Sequence, residues 1–255
     1  MLKGKTVLLG VTGSIAAYKI AGLASMLKKQ HADITVLMTQ NATNFINPIT
    51  FETLTGNKCL IDTFDRNFQY SVEHVALAKR ADIVLIAPAS ANVIGKIANG
   101  IADDMLTTTV MACRCPILIS PAMNTNMFLN PIVQDNLAKL RRFGYTVIEP
   151  DSGYLACGDI GAGKMPSEKT LFDWIMQTIG AAKDLAGQKI LVTAGATAEK
   201  IEAAVKSAPD YLNGQPEILH AQTLEEAVRL AKRHTVPGDI VTLSPACAAF
   251  GQFKN

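Results

Sequence analysis

The strongest constraint on the fold is the alternation of short aliphatic runs with helical spacing of apolar residues. Residues 6–11, TVLLGV, are β-branched and aliphatic and lead into a glycine turn, which is typical of a buried strand. Apolar residues then recur at the three- and four-residue spacing of one helix face, at Ile20, Leu23, Ala24 and Leu27. A second aliphatic run follows at residues 33–39. This order predicts a βαβ unit with two parallel strands.

The alternation continues beyond this unit. Further aliphatic runs predict strands at residues 82–87, 116–120 and 145–149, and helical spacing marks 130–143 and a closing helix at 169–179. Strands that alternate with helices form mostly parallel sheets with helices on both faces. We therefore predict an α/β fold with a doubly wound parallel sheet, as in flavodoxin-like or Rossmann-like three-layer sandwiches.

A partial second α/β unit is predicted after residue 182. Residues 181–187, AAKDLAG, have the composition of a linker. The elements expected beyond it are strands at residues 189–193 and 239–243, and a helix opened by Thr223 with its capping partner Glu226. About 70 residues are fewer than a complete domain of roughly 100–150 residues. We therefore expect domains at 1–182 and 183–255, the second incomplete.

Composition excludes several classes of protein. Hydrophobic residues make up 49% of the chain and charged residues 18%, which allows a sizeable core and argues against disorder. The net charge is +2 without a basic run, so no nucleic-acid partner is expected. No apolar run approaches the roughly 20 residues of a membrane span, and the first residues lack a signal peptide's apolar stretch. Because the cysteines number 5, an odd count, we expect a cytoplasmic protein without a disulfide framework.

The first candidate site follows the strand at residues 6–11. Gly13 would let the backbone approach a phosphate, Ser14 supplies a hydroxyl, and the start of the next helix offers free N–H groups. The turn lacks the dinucleotide pattern G-x-G-x-x-G, and the second strand ends at Thr39 and Gln40 without an acid for a ribose. A mononucleotide or another phosphate therefore fits better than NAD. The alternative is a tight turn that merely uses Gly13.

Two more polar turns follow later strands. Residues 88–92, PASAN, come after one predicted strand, and residues 121–127 come after the next and include Asn124. Ligands of parallel sheets bind where strands end at their carboxyl edge, so both turns are candidates. In the alternative interpretation, Ser90 or Asn92 only caps the next helix, and the later asparagines only shape a turn.

A glycine-rich segment at residues 151–165 is a candidate lid. Glycines surround Cys157 in this segment, and a mobile segment can cover an active site. Cys157 could donate a proton or act as a nucleophile there, and Lys164 could bind a phosphate group. The alternative is a flexible surface connection. Cys113 and Cys115 do not have the spacing of a metal site, so no metal is predicted.

Together these segments resemble the flavin-dependent cysteine decarboxylases. The features that carry the resemblance are G-S-I at residues 13–15, His74, P-A-S-A-N at 88–92 and P-A-M-N at 121–124. The Cys157 loop, which ends in G-x-G-K-M, is similar to that of the coenzyme A branch of the family. The resemblance covers residues 1–180. Val93 departs from the usual threonine of the family, and Lys164 departs from its usual arginine.

The resemblance implies an FMN site in a homotrimer or a multiple of trimers. It places the FMN phosphate near Gly13, Ser14 and Ile15. The rest of the cofactor pocket would come from Thr39, Ser90, Ala91, Asn92, Val93 and Ala122. The residues themselves predict a polar crevice beyond the strand ends, so the two interpretations agree.

The resemblance also implies a small-molecule substrate, 4'-phosphopantothenoylcysteine, and its decarboxylation to 4'-phosphopantetheine. Asn124 would hold the substrate carboxylate, and Met123 and Lys164 would also contact the substrate. Oxidation of the substrate thiol creates an electron sink that permits loss of CO2, and the cofactor carries that chemistry. His74 would manage the thiol proton, and Cys157 would protonate the enethiol before its reduction.

The tail is similar to segments of two other enzymes. Residues 189–200 resemble the opening of a synthetase domain, and residues 213–255 resemble the end of a Mur ligase of the D-glutamate-adding kind. The sequence contains no G-x-x-x-x-G-K-[ST] loop, so ligase activity is not expected. The alternatives for the whole chain are a peptidyl-cysteine decarboxylase, a flavin prenyltransferase, and a flavin-binding regulatory subunit without turnover.

Overall fold

The chain separates into two compact units, Met1–Ala181 and Ala182–Asn255. The structure is a computed structural model. The residues that it describes are 2–64, 73–154, 158, 160–180, 190–193, 203, 206–207, 218–221, 226 and 229–230. The predicted linker at 181–187, the helix start at Thr223 and the strand at 239–243 lie outside the described residues.

A five-stranded parallel sheet organises the first unit, with strand order β2-β1-β3-β4-β5. Its strands are β1 Thr6–Val11, β2 Asp33–Met38, β3 Ile83–Ala89, β4 Ile117–Pro121 and β5 Thr146–Val147. The predicted doubly wound sheet is confirmed. From β1 the chain crosses first to one neighbour, β2, and then to the other, β3, which makes the β1/β3 boundary the topological switch point of the sheet.

Two strands differ from their predicted bounds. β3 runs past the expected end at residue 87, because Ala89 still pairs with Pro121 and its carbonyl accepts a hydrogen bond from the Ala122 N–H at 3.1 Å. β5 covers only Thr146–Val147 of the expected 145–149, and this edge strand is half-buried.

Helices cover both faces of the sheet. In chain order they are α1 Lys19–Lys29, α2 Pro48–Thr55, α3 Glu73–Arg80, α4 Ala91–Ala98, α5 Met105–Ala112, α6 Thr125–Phe128, α7 Pro131–Arg142 and α8 Glu168–Ile175. Short 3-10 helices precede α1 at Ile15–Tyr18 and follow β2 at Gln40–Asn44, and a π-helical turn at Met176–Gly180 follows α8. The predicted closing helix is therefore α8 with that turn.

The two faces of the sheet bury separate apolar layers. Alternate side chains of β1, such as Leu9 and Leu8, point to opposite faces. One layer packs against α1 and α8, and the other packs against α4, α5 and α7. The predicted apolar face of α1 is confirmed, since the four residues predicted to form it are fully buried: Ile20, Leu23, Ala24 and Leu27.

The glycine-rich segment contains a β-hairpin that the sequence did not predict. β6 Asp151–Tyr154 pairs antiparallel with β7 Ile160–Lys164. In the second unit, β8 Ile190–Thr193 pairs in parallel with β9 Ile218–Ala221. Within the part of the chain that the structure describes, no helix is long and apolar enough to cross a membrane.

Candidate functional site

A cavity of about 330 Å³ opens at the carboxyl edge of the sheet, at the switch point between β1 and β3. Six predicted cofactor residues line it: Gly13, Thr39, Ser90, Ala91, Asn92 and Val93. Its wall also contains five residues that sequence reasoning missed: Gln40, Asn41, Lys96, Asp104 and Met127. The turns after three neighbouring strands thus meet at one cavity, which lies where ligands bind in open α/β sheets.

Gly13 packs closely against the 3-10 helix that follows β2. An added Cβ at Gly13 would lie 2.9 Å from the Asn41 Cβ, so a larger residue would push the two turns apart. Ser14 then caps the 3-10 helix before α1, because its Oγ accepts the Ala16 N–H at 3.3 Å. Ile15 is 57% exposed beside this turn. The turn therefore offers a polar helix start and an exposed apolar side chain next to the cavity.

Thr12 fixes the turn after β1 to the turn after β3. Its side chain is fully buried, and its Oγ1 donates to the Pro88 carbonyl at 2.6 Å. The same oxygen accepts the Ser90 N–H at 2.9 Å. Sequence reasoning missed this role, although a polar residue at the end of an otherwise aliphatic strand is a signal that could have revealed it.

Ser90 caps a helix and also lines the cavity, so the cap does not exclude the predicted binding role. The helix is α4, and the Ser90 Oγ accepts the Val93 N–H at 3.4 Å. Asn92 is exposed in the first turn of α4, whereas Val93 is only 2% exposed and packs into the core. The valine at this position therefore contributes packing, and it offers no side-chain hydroxyl to the cavity.

A charged group forms one side of the cavity. The Lys96 Nζ lies 2.7 Å from an Asp103 carboxylate oxygen and 3.4 Å from an Asp104 oxygen. The hydrogen bond with Asp103 raises the pKa of Lys96 despite partial burial, and the hydrogen bond with Lys96 lowers the pKa of Asp103. Asp104 also caps α5 by accepting the Thr107 N–H at 2.8 Å. A fixed cation and carboxylate thus face the cavity together.

The turn after β4 is held by backbone contacts to the hairpin. The Met123 N–H donates to the Gly163 carbonyl at 3.0 Å, and Ala122 is buried beside it. Asn124 caps α6 by accepting the Asn126 N–H at 2.8 Å. Met123 and Asn124 thus lie against Gly163, and Lys164 is the next residue of β7, with its side chain beside Gly153. None of the three residues predicted to contact substrate is part of the cavity wall.

The two remaining predicted residues have different outcomes. His74 is half-buried in the first turn of α3, a helix that packs against α5. The chain reverses direction between α3 and β3, so the N-terminal end of α3 lies toward the carboxyl edge of the sheet. His74 is nevertheless not part of the cavity wall. Cys157 lies outside the described residues, so its role stays a prediction.

The comparisons with known proteins agree on one family. The Flavoprotein family model matches residues 1–180. The coenzyme A biosynthesis bifunctional protein CoaBC of Bacillus subtilis (strain 168) is 42% identical over 204 residues, which are 79% of this chain and 50% of that protein. The chain thus spans about half the length of the curated relatives that it matches.

Solved structures are similar to the first unit. A mutant PPC decarboxylase complexed with pantothenoylaminoethenethiol aligns with a TM-score of 0.61 and 29% identity, over 69% of this chain and 99% of that one. The FMN-dependent cysteine decarboxylase SpaF aligns with a TM-score of 0.60 and 34% identity, over 70% and 99% of the two chains.

Proposed function

The chain belongs to the flavoprotein family, and from this premise we propose that its first unit is an FMN-dependent phosphopantothenoylcysteine decarboxylase. The reaction, in the carboxy-lyase class, would convert 4'-phosphopantothenoylcysteine to 4'-phosphopantetheine in coenzyme A biosynthesis. The observation that carries this proposal is the cavity at the β1/β3 switch point, which six residues predicted for an FMN site line. Similarity to CoaBC and to PPC decarboxylase supports the substrate.

The residues of the cavity fit a flavin mononucleotide. The cavity volume of about 330 Å³ falls in the range of small-molecule sites, roughly 300–1,000 Å³. The close approach of Gly13 to Asn41 leaves no room for a side chain at this position. The FMN phosphate would bind at the N–H groups of the helix start that follows. FMN, once bound, would supply a two-electron oxidant for the substrate thiol.

Asn124 would orient the substrate beside this site. Its backbone position is fixed by its cap on α6 and by the hydrogen bond of the preceding residue, Met123, to Gly163. An amide can donate to the substrate carboxylate without adding a like charge. Lys164, on the neighbouring strand β7, is exposed and could pair with the substrate phosphate.

His74 and Cys157 would handle the two protons of the reaction. Imidazole exchanges protons readily near neutral pH, so we assign His74 to the substrate thiol. Cys157 would protonate the enethiol that remains after CO2 loss. Since His74 is absent from the cavity wall within one protomer, a homotrimer or a multiple of trimers could complete the site, with the flavin near a subunit boundary.

We also propose that the protein works in the cytoplasm. The matched curated relatives are coenzyme A biosynthesis proteins, and the three described cysteines carry free thiols, as in a reducing compartment.

Mass spectrometry of product formation tests the function. The purified full chain, reconstituted with FMN, is incubated with phosphopantothenoylcysteine while CO2 and phosphopantetheine are followed. A peptide ending in cysteine serves as the competing substrate, because SpaF is a cysteine decarboxylase. We expect turnover of phosphopantothenoylcysteine alone. Turnover of the peptide alone would favour the peptidyl-cysteine alternative, and bound FMN without turnover of either would favour a regulatory flavoprotein.

A further inference from the structure

One cation and one carboxylate face the cavity from neighbouring helices. Lys96 lies on α4 and Asp104 is the N-cap of α5, and the Lys96 Nζ lies 3.4 Å from the Asp104 Oδ2. Their side chains are 22% and 23% exposed, whereas Asp103, the other partner of Lys96, is 54% exposed and is not part of the cavity wall. Among the described residues of the wall, Lys96 is the one cation and Asp104 the one carboxylate. The proton and substrate roles proposed above involve neither of them.

Both groups are fixed by hydrogen bonds within the protein. The Asp104 Oδ1 accepts the Thr107 N–H and the Thr107 hydroxyl, each at 2.8 Å, and Thr107 is buried. The Lys96 Nζ donates to Asp103 at 2.7 Å. A ligand that binds side chains already held in place loses little affinity to ordering them. The pair therefore has the rigidity of a binding surface.

The pair presents a donor next to an acceptor. Among the described residues, the ammonium of Lys96 donates to two carboxylates, so one of its three N–H bonds remains for a ligand. The Asp104 Oδ2 can accept a further hydrogen bond. A hydroxyl group both donates and accepts, so it can bind this oxygen and the ammonium together. A phosphate fits poorly, because one ammonium and two carboxylates leave a net negative charge here.

We propose that Lys96 and Asp104 bind hydroxyl groups of the ribityl chain of the flavin. This inference rests on the proposed function, because it requires a flavin in the cavity. The ribityl chain is the uncharged, hydroxyl-rich part of FMN between the ring and the phosphate. Asp104 accepts hydrogen bonds from these hydroxyls and Lys96 donates one, while Asp103 positions the ammonium from outside the wall. The phosphate is left to the helix start after Gly13.

Flavin analogues that lack one part each test this assignment. The full-length protein, freed of flavin, is titrated with FMN, with riboflavin, which lacks the phosphate, and with lumiflavin, which also lacks the ribityl hydroxyls. Flavin fluorescence reports binding. The variants are Lys96→Met and Asp104→Asn, since asparagine keeps the oxygen that caps α5. We expect each variant to weaken FMN and riboflavin binding by the same factor, about tenfold or more, because a hydrogen bond to a charged group is lost. Lumiflavin affinity should not change.

Lys139→Met is the matched control. The Lys139 Nζ donates to the Asn99 Oδ1 at 3.0 Å, and Lys139 lies outside the cavity wall, so this variant should bind all three flavins as the parent does. Loss of FMN affinity without loss of riboflavin affinity would place Lys96 at the phosphate. An equal loss for lumiflavin would place the pair at the ring. Either result overturns the assignment.

The same titrations separate failure of this inference from failure of the proposed function. If the parent binds FMN and both variants bind it equally well, the pair has no role in binding and only this inference is wrong. If the parent binds no flavin, the proposed function is wrong and this inference with it. Circular dichroism of each variant checks that it retains its fold.

Discussion

Thr12 carries a buried hydroxyl that joins the turns after β1 and β3 beside the cavity. It pairs the Pro88 carbonyl and the Ser90 N–H at the same time, at 2.6 and 2.9 Å. Thr12→Val keeps the shape but leaves both backbone groups unpaired, which should cost about 1–3 kcal/mol of unfolding free energy. Flavin affinity should fall with it, because Ser90 lines the cavity.

Urea unfolding and flavin titration measure these two effects. Thr12→Ser is the matched control, since it keeps the hydroxyl and removes only a methyl group. The serine variant should bind flavin nearly as well as the parent protein. Equal flavin affinity in the valine and parent proteins would show that this bridge does not shape the site.

The proposed proton roles of His74 and Cys157 can be separated by their products. His74→Asn should abolish CO2 release while flavin stays bound, because the imidazole is lost and His74 lies outside the cavity wall. Cys157→Ser should still release CO2 but accumulate the oxidised enethiol, since a hydroxyl is a much weaker acid than a thiol. Mass spectrometry distinguishes the two products. Normal phosphopantetheine formation by either variant would remove that residue from the mechanism.

At the residue scale, the sequence indicated candidate site residues that lie in short contiguous turns. It missed residues whose partners lie further along the chain. Of the six expected residues in the cavity wall, Gly13, Ser90 and Asn92 were indicated by polar turns after strands. The other three came only from the family resemblance: Thr39, Ala91 and Val93. Lys96 was missed because its partners Asp103 and Asp104 lie beyond the end of α4 at Ala98, where helical spacing no longer indicates which residues are neighbours. The Asp104–Thr107 capping box was a visible signal that the sequence analysis did not use.

At the element scale, two glycines of β7 allow the hairpin to dock on the turn that bears Asn124. An added Cβ at Gly163 would lie 2.3 Å from the Met123 carbonyl oxygen, and one at Gly161 would lie 2.5 Å from the Thr125 Oγ1. Gly163 also has a φ of +124°, which side-chain-bearing residues rarely adopt. The first obstruction is rigid backbone and the second is a side chain that can rotate.

We therefore expect a graded loss of stability. Gly163→Ala should cost about 2–3 kcal/mol of unfolding free energy, and Gly161→Ala about 1 kcal/mol. Adding Thr125→Ala should restore much of the Gly161→Ala loss and none of the Gly163→Ala loss. Gly95→Ala is the control, since its nearest neighbour is an Asn136 side chain at 3.8 Å. Equal effects of the two β7 substitutions in urea unfolding would contradict this account.

The sequence predicted α1 but missed the hairpin, because α1 follows from local spacing and the hairpin depends on long-range contacts. The apolar residues of α1 recur every three or four residues, so periodicity alone identifies its buried face. β7, IGAGK, has no alternation of apolar and polar residues. It is held instead by pairing with β6 and by the Met123–Gly163 hydrogen bond, a contact between segments about 40 residues apart that no local pattern encodes.

At the scale of the whole molecule, the first unit should keep its fold and flavin without the tail. The unit ends at Ala181, and the family match ends at residue 180. The last helix of this unit, α8, contributes Leu171 and Ile175, both fully buried in the core layer that also contains α1. Among the residues that the structure describes, both core layers of this unit are built from residues before 182, so we expect the unit to fold without the tail.

Two truncations test this independence. A chain cut after Leu185 should retain visible flavin absorbance and decarboxylation equal to the full chain, because α8 is intact. A chain cut after Pro166 should lose both, since removal of α8 exposes the apolar face of α1 and costs several kcal/mol of burial. The full chain with ATP or CTP and amino acids should form no ligation product, since its sequence contains no G-x-x-x-x-G-K-[ST] loop. Loss of flavin on cutting after Leu185 would mean that the tail completes the site, and the tail would then have to be included in any account of catalysis.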